Sequence, residues 1–175
     1  LGLDISSTST GVVLLTEDAR EPVFQGLWKP NTELDYLDRG GWQAEKLLDL
    51  LEKHVPGQVV IEGYSLGSSN GAEPLITVGT VLRYFLRQSG YGWDTAAPTQ
   101  LKKYAGAASK QDIKLAVFKR WGFEHRSDDV VDAYVLAQIG LGLKDAASDL
   151  IRPQIEVIEA IRSPKPKKRR KKKTD

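Results

Sequence analysis

Apolar and polar positions divide this chain into short strands and amphipathic helices. Leu1–Ser6 reads as a buried strand carrying a carboxylate, Asp4, near its end. Ser7–Thr10 is a turn of small hydroxyl residues, and Gly11–Thr16 is a second apolar strand, which together give a hairpin signal. Glu21–Pro30 supplies a third strand around Val23, Phe24, Leu27 and Trp28. In Leu37–His54, residues Leu37, Trp42, Leu47, Leu48 and Leu51 recur with a helical period, and Pro56-Gly57 stops the helix. Gln58–Glu62 is a short buried strand, Val59-Val60-Ile61, again ending in an acid. Gly63–Ala72 is a loop rich in Gly, Ser and Asn.

The second half is mostly helical. Pro74–Ser89 aligns Leu75, Val78, Leu82, Phe85 and Leu86 along one side, and Gly90–Ala97 holds another short strand. Pro98–Ala105 starts with proline in its first turn and closes at Gly106. Ser109–Trp121 is a helix with Ser109 as cap and Asp112 three residues on, a capping-box spacing with Asp in place of Glu. Ser127–Lys144 is capped by Ser127, and Pro153–Ile161 adds a short amphipathic helix. The order is three strands, helix, strand, helix, strand, then helices. That predicts a mixed sheet with helices on its faces, in the α/β class. The expected organisation is one domain over 1–146, a helical extension over 147–163, and a disordered basic tail over 164–175.

Composition narrows the chemistry. The 175 residues suffice for one domain with a real core. No run of eighteen apolar residues exists, so no membrane span is expected, and no secretory signal is visible. The absence of cysteine excludes disulfides, thiolate catalysis and cysteine metal sites. It is compatible with a cytoplasmic or other reducing compartment. His54 and His125 are far apart and lack ligand spacing, so any metal site must use oxygen ligands, which favours Mg²⁺ or Mn²⁺.

The net charge of +2 hides a strong segregation. Residues 1–79 carry 5 basic and 12 acidic side chains, whereas 80–126 carry 9 and 3. Residues 127–163 carry 3 and 7, and the tail carries 8 and 1. Basic surface concentrated in the third quarter and the tail points to a polyanionic partner.

Asp4 and Glu62 both stand in or at the end of apolar strands, where a charge is disfavoured unless paired or metal-bound. A turn former at one position and an exposed strand end at the other would also account for them. Asp128 and Asp129 follow the cap Ser127, where acids offset the helix dipole. Asp132 lies beyond those positions, among Val130, Val131, Ala133, Val135 and Leu136, and shares a face with Asp129 at i, i+3. Asp128 is turned about 100° away, as a cap or supporting acid. Three separate segments thus deliver acid into apolar surroundings. Like charges that converge repel unless cations neutralise them, and two divalent ions bridged by a carboxylate would do so. Such a pair can activate a water and stabilise the leaving oxygen of a phosphodiester. Lys110 follows the cap Ser109, where a cation opposes the dipole; a lysine beside a helix N-terminus can bind phosphate.

The stretches LGLDISSTSTGVVLL, VVIEGYSLGSSNGAEPLITVGTVLRYFL, PTQLKKYAGAASKQDIK and SDDVVDAYVLA resemble the RuvC-type Holliday junction resolvases of the ribonuclease H-like superfamily. The resemblance implies a ribonuclease H-like mixed five-stranded sheet flanked by helices. It implies Asp4, Glu62, Asp129 and Asp132 as ligands of two Mg²⁺ ions, with Mn²⁺ able to substitute. Asp129-Val-Val-Asp132-Ala133 matches the family's D-x-x-D-A pattern, and Lys102 and Lys110 look like its two basic residues near the scissile strand. It further implies a homodimer that nicks opposed strands of a four-way junction in recombination and repair, and Pro74–Ser89 is the candidate dimer face. The family often has an aromatic shortly after the Glu; Tyr64 and Leu66 occupy that neighbourhood at a different spacing. Tyr64, Lys102, Lys103, Lys110, Lys114 and tail residues Lys168, Arg169 and Arg170 are candidate DNA contacts.

Three alternatives accompany this reading. LGLDISSTSTG also resembles the first phosphate loop of sugar-kinase and actin-like ATPases, although no second copy of that motif is present. A non-catalytic junction-binding protein would use the basic region, but its bare acids would repel DNA. Another nuclease of the same fold could act on forks, flaps or RNA hybrids, because fold does not set substrate.

Overall fold

A computed structural model describes residues 1–17, 21–64, 72–145, 147 and 149–164. The hairpin forms where the apolar runs predict it. β1 (Gly2–Asp4) pairs antiparallel with β2 (Thr10–Leu14), with Asp4 opposite Gly11 and Gly2 opposite Val13. β2 pairs antiparallel with β3 (Phe24–Trp28). α1 (Tyr36–Lys53) then crosses the sheet, its N-terminus capped by Asp35, whose carboxylate accepts from the Asp38 amide at 2.8 Å. β4 (Val60–Glu62) lies parallel to β1, and β5 (Asp94–Ala96) lies parallel to β4 after the intervening helix α2 (Ala72–Gln88). The sheet order is β3-β2-β1-β4-β5. This is the mixed, five-stranded α/β sheet expected from the element order.

The two faces of the sheet bury different helices. Leu3, Val12 and Ile61 point to the side covered by α1 and α2, where they meet Leu47, Leu50, Val78 and Leu82. Val13, Val60 and Ala96 point to the other side. There they meet α3 (Pro98–Ala105), α4 (Ile113–Trp121), α5 (Asp128–Leu143) and α6 (Arg152–Arg162). α6 contributes Val157 and Ile158 to that same core. α6 is therefore packed on the sheet domain.

Two helix starts differ from expectation. Ser109–Trp121 is not one α-helix: Lys110–Asp112 is a 3₁₀ turn, and α4 begins at Ile113. The Asp112 carboxylate accepts from the Ser109 amide at 3.0 Å and the Ser109 hydroxyl at 2.7 Å, which tightens the first turn. Ser127 occupies the N-cap of α5 but makes no capping bond through its side chain. Its amide instead donates to Nδ1 of His125 at 3.0 Å. Among the described residues, no helix is long and apolar enough to cross a membrane.

Candidate metal centre

β1 and β4 run side by side and end at the same edge, so Asp4 and Glu62 emerge next to each other. α5 supplies the third acid by lying unusually close to the sheet. A Cβ on Gly2 would fall 2.0 Å from the Ala133 carbonyl oxygen, and one on Gly11 would fall 1.9 Å from that of Asp129. Only glycine permits this approach. It carries Asp132 over the strand ends, where it is just 5% exposed.

One carboxylate oxygen from each of Asp4, Glu62 and Asp132 lies within 4.8 Å of the others. Asp129 is close by but outside that group. Its Oδ2 accepts a 2.5 Å hydrogen bond from the Ser9 hydroxyl. The expected convergence of four acids is thus a group of three with a fourth held beside it. The turn carrying Ser9 is fixed from the opposite face of the sheet. Buried Thr10 donates to Gln43 Oε1 of α1 at 2.5 Å, and Gln43 Nε2 donates to the Ser6 carbonyl at 3.1 Å.

The electrostatics match a site built to hold cations. Burial pushes the Asp4 carboxyl well above its usual range, helped by a hydrogen bond to Glu62 and by the charges of Glu62 and Asp129. Burial raises Glu62 too, with Asp132 and Asp129 adding to the shift. Asp132 is pushed up to about 7, by burial first and by Asp4 next. Lys110 acts in the opposite direction on all three. Buried carboxylates this close hold on to protons unless another cation replaces them. An all-oxygen, anionic donor set of this kind fits a hard divalent ion.

Other residues singled out in the sequence fall into two groups. Lys102, Lys110 and Tyr64 line the same cavity as Glu62 and Asp132. Lys114 instead pairs with Asp128 at 2.6 Å and donates to the Arg126 carbonyl, so Asp128 is turned away from the acid group. Lys103 pairs with Glu156 of α6 at 2.6 Å. Tyr64 rests on α2. Arg83 donates to its hydroxyl at 2.7 Å and lies 4.5 Å from its ring centre. Leu66, Lys168, Arg169 and Arg170 lie outside the described residues. Sequence reasoning missed Ser9, Gln43 and Arg83. Ser9 and Gln43 are neutral, and Arg83 looks like one more cation on a helix. No local pattern marks any of them.

No family model matches this sequence, and no curated protein matches it. Solved structures do. The chain is similar to Thermus thermophilus RuvC in complex with a Holliday junction substrate, at 18% identity and a TM-score of 0.67. The match covers 78% of this chain and 87% of that one. The chain has the fold of RuvC. A second Thermus thermophilus RuvC structure agrees, at 20% identity and a TM-score of 0.65, covering 78% of this chain and 89% of that one. The ribonuclease H-like sheet implied by the motif resemblance is therefore the fold observed.

Proposed function

We propose that this protein is a metal-dependent endonuclease that cuts branched DNA, with four-way junctions as its main substrate and paired nicks as its product. The convergence of Asp4, Glu62 and Asp132 beside Lys110 carries the reading. The shared fold with a RuvC solved on a Holliday junction substrate supports the choice of DNA. When bound, two Mg²⁺ or Mn²⁺ ions supply the positive charge that activates water and stabilises the leaving oxygen.

The chain's own groups do the rest. Asp4, Glu62 and Asp132 hold the ions, and Asp129, oriented by Ser9, is the fourth ligand. Lys110 sets a positive charge against the scissile phosphate as negative charge builds there. Lys102 lines the same cavity and meets the strand nearby. Lys103 reaches DNA by giving up an exposed ion pair worth about 0–1 kcal/mol, and Lys114 by giving up such a pair and its hydrogen bond to the Arg126 carbonyl. Tail residues Lys168, Arg169 and Arg170 add phosphate contacts and salt dependence.

Paired nicks require two sites, which a homodimer provides. The outward face of α2 shows Ile76 and Tyr84, 41% and 57% exposed, and this apolar surface supports α2 as the contact. A monomer at micromolar concentration in sedimentation would count heavily against it.

The deciding experiment compares cleavage of four-way junction, fork, duplex and RNA–DNA hybrid with Mg²⁺. The junction is cut fastest, and Asp4→Asn abolishes cutting while DNA binding persists. Preferential cutting of the hybrid would move the protein to another branch of the fold. Junction cutting left unchanged by Tyr64→Ala would remove Tyr64 from any role in parting the junction.

A further inference from the structure

Arg83 sits where a solvated surface arginine does not belong. It is half-buried on α2, and its guanidinium is held from two sides. Nη1 donates to the Tyr64 hydroxyl at 2.7 Å and to the Gly79 carbonyl at 3.0 Å. The site is built around this pair. A Cβ on Gly79 would lie 2.6 Å from the Tyr64 hydroxyl and 2.7 Å from Arg83 Nη1, so glycine makes the space. Among the described residues, no carboxylate lies within 4.0 Å of the guanidinium, and segment 65–71, SLGSSNG, contains no acid. A cation withdrawn from water without a counter-ion is costly, unless a ligand brings the negative charge.

The surroundings say which anion. Arg83 lines a cavity of about 230 Å³ that also contains Glu62, Asp132 and Lys110 of the metal centre. Lys102 is a third cation on the wall, and Ile5, Leu101 and Ile113 give an apolar floor. Arg83 Nη2 lies only 3.5 Å from the backbone oxygen of Glu62. A cavity with a cation site at the acids, an apolar middle and a guanidinium close by suits one sugar–phosphate step of a nucleic-acid strand. The scissile phosphate meets the metal centre, and the deoxyribose covers the apolar floor.

We infer that Arg83, braced by Tyr64 and assisted by Lys102, binds the backbone phosphate next to the scissile one. The inference rests on the nuclease reading. It assigns Tyr64 a bracing part in the clamp. An arginine fork suits a phosphate oxygen pair better than a lysine point charge does.

The test pairs substitutions in the protein with single neutral methylphosphonates in the junction, placed at each phosphate around the cut. Binding is measured with Ca²⁺ in place of Mg²⁺, and single-turnover cutting with Mg²⁺. For the wild type, one position adjacent to the cut costs about tenfold in binding. Arg83→Gln costs about as much on the unmodified junction and is indifferent to that one methylphosphonate. Arg83→Lys keeps a charge on a similar stem and retains part of the position-specific penalty, which separates contact from misfolding. Tyr64→Phe, which removes only the bracing hydroxyl, gives a smaller loss at the same position. If methylphosphonate penalties simply add to the Arg83→Gln loss at every position, the clamp is wrong while the nuclease stands. A wild-type protein that neither binds nor cuts DNA overturns the nuclease reading, and the clamp with it.

Discussion

α1 and α5 cover opposite faces of one sheet by different means. α1 reaches the sheet through leucines, burying Leu47, Leu50 and Leu51 while Glu45, Lys46 and Asp49 stay in water. α5 is buried on almost every side from Val130 to Ala137, and its backbone lies against Gly2 and Gly11. On an amphipathic helix, charge is ordinary because it faces solvent. On a helix buried all round, a carboxylate needs a reason. Asp132 at 5% exposure is therefore more informative than any acid of α1. The contrast separates a helix that meets the sheet through leucines from one that also brings a carboxylate to the strand ends.

The sharpest way to break this contrast is Asp132→Asn. It lowers single-turnover cutting by about 10³-fold or more while junction binding is retained. Robust cutting by this variant would return Asp132 to a structural part. The paired substitutions Leu47→Ala and Gly11→Ala come next. Leu47→Ala costs about 2–5 kcal/mol of stability but leaves cutting nearly unchanged well below its Tm. Gly11→Ala sets a methyl group 1.9 Å from the Asp129 carbonyl oxygen, so α5 must shift. It costs about 1–3 kcal/mol and also lowers cutting, because the acids move with the helix. Equal activity in the two variants, measured by calorimetry and cutting in parallel, would erase the difference between the helices.

A pH series probes α5 alone. The folded chain binds a proton at Asp132 up to about pH 7, whereas the unfolded chain releases it near 3.8. Without metal, this contribution is fully present below 3.8 and is lost as pH rises through about 7. Asp4 and Glu62 shift in the same direction. In EDTA, Tm falls over that window, and Asp132→Asn flattens the fall and raises Tm at pH 8. Mg²⁺ restores the wild type at neutral pH by replacing the proton. A Tm in EDTA that rises steadily from pH 4 to 7 in the wild type, and equally in Asp132→Asn, contradicts the assignment. The smallest effect is expected from Ser9→Ala. It removes one hydrogen bond to Asp129, worth about 1 kcal/mol, and raises the Mg²⁺ concentration for half-maximal cutting several-fold. Ser9→Thr restores it.

Much of this was legible from residue order. The hairpin around Asp4, the strand ending at Glu62 and the helix carrying Asp129 and Asp132 all stand where apolar periodicity sets them, because strand and helix periods are local properties. The 3₁₀ turn at Lys110–Asp112 was not legible. The Ser109 and Asp112 spacing fits a capped α-helix equally well, and the tight turn depends on where Asp112 hydrogen-bonds. The bond from Ser9 to Asp129 spans 120 residues, and that from Thr10 to Gln43 ties β2 to α1 across 33. Arg83 meets Tyr64 only because Gly79 leaves room.

The sequence by itself determined the order of the strands and α-helices, the oxygen-only donor set, and the four acids from which a metal site could be built. Tertiary structure decided that Asp4, Glu62 and Asp132 form the close group, while Ser9 holds Asp129 at its side. The physical reason lies in α5. Positions i and i+3 share a helix face whatever the helix touches, but which of them reaches the strand ends depends on how the helix docks. Here that docking is set by two strand glycines more than a hundred residues away.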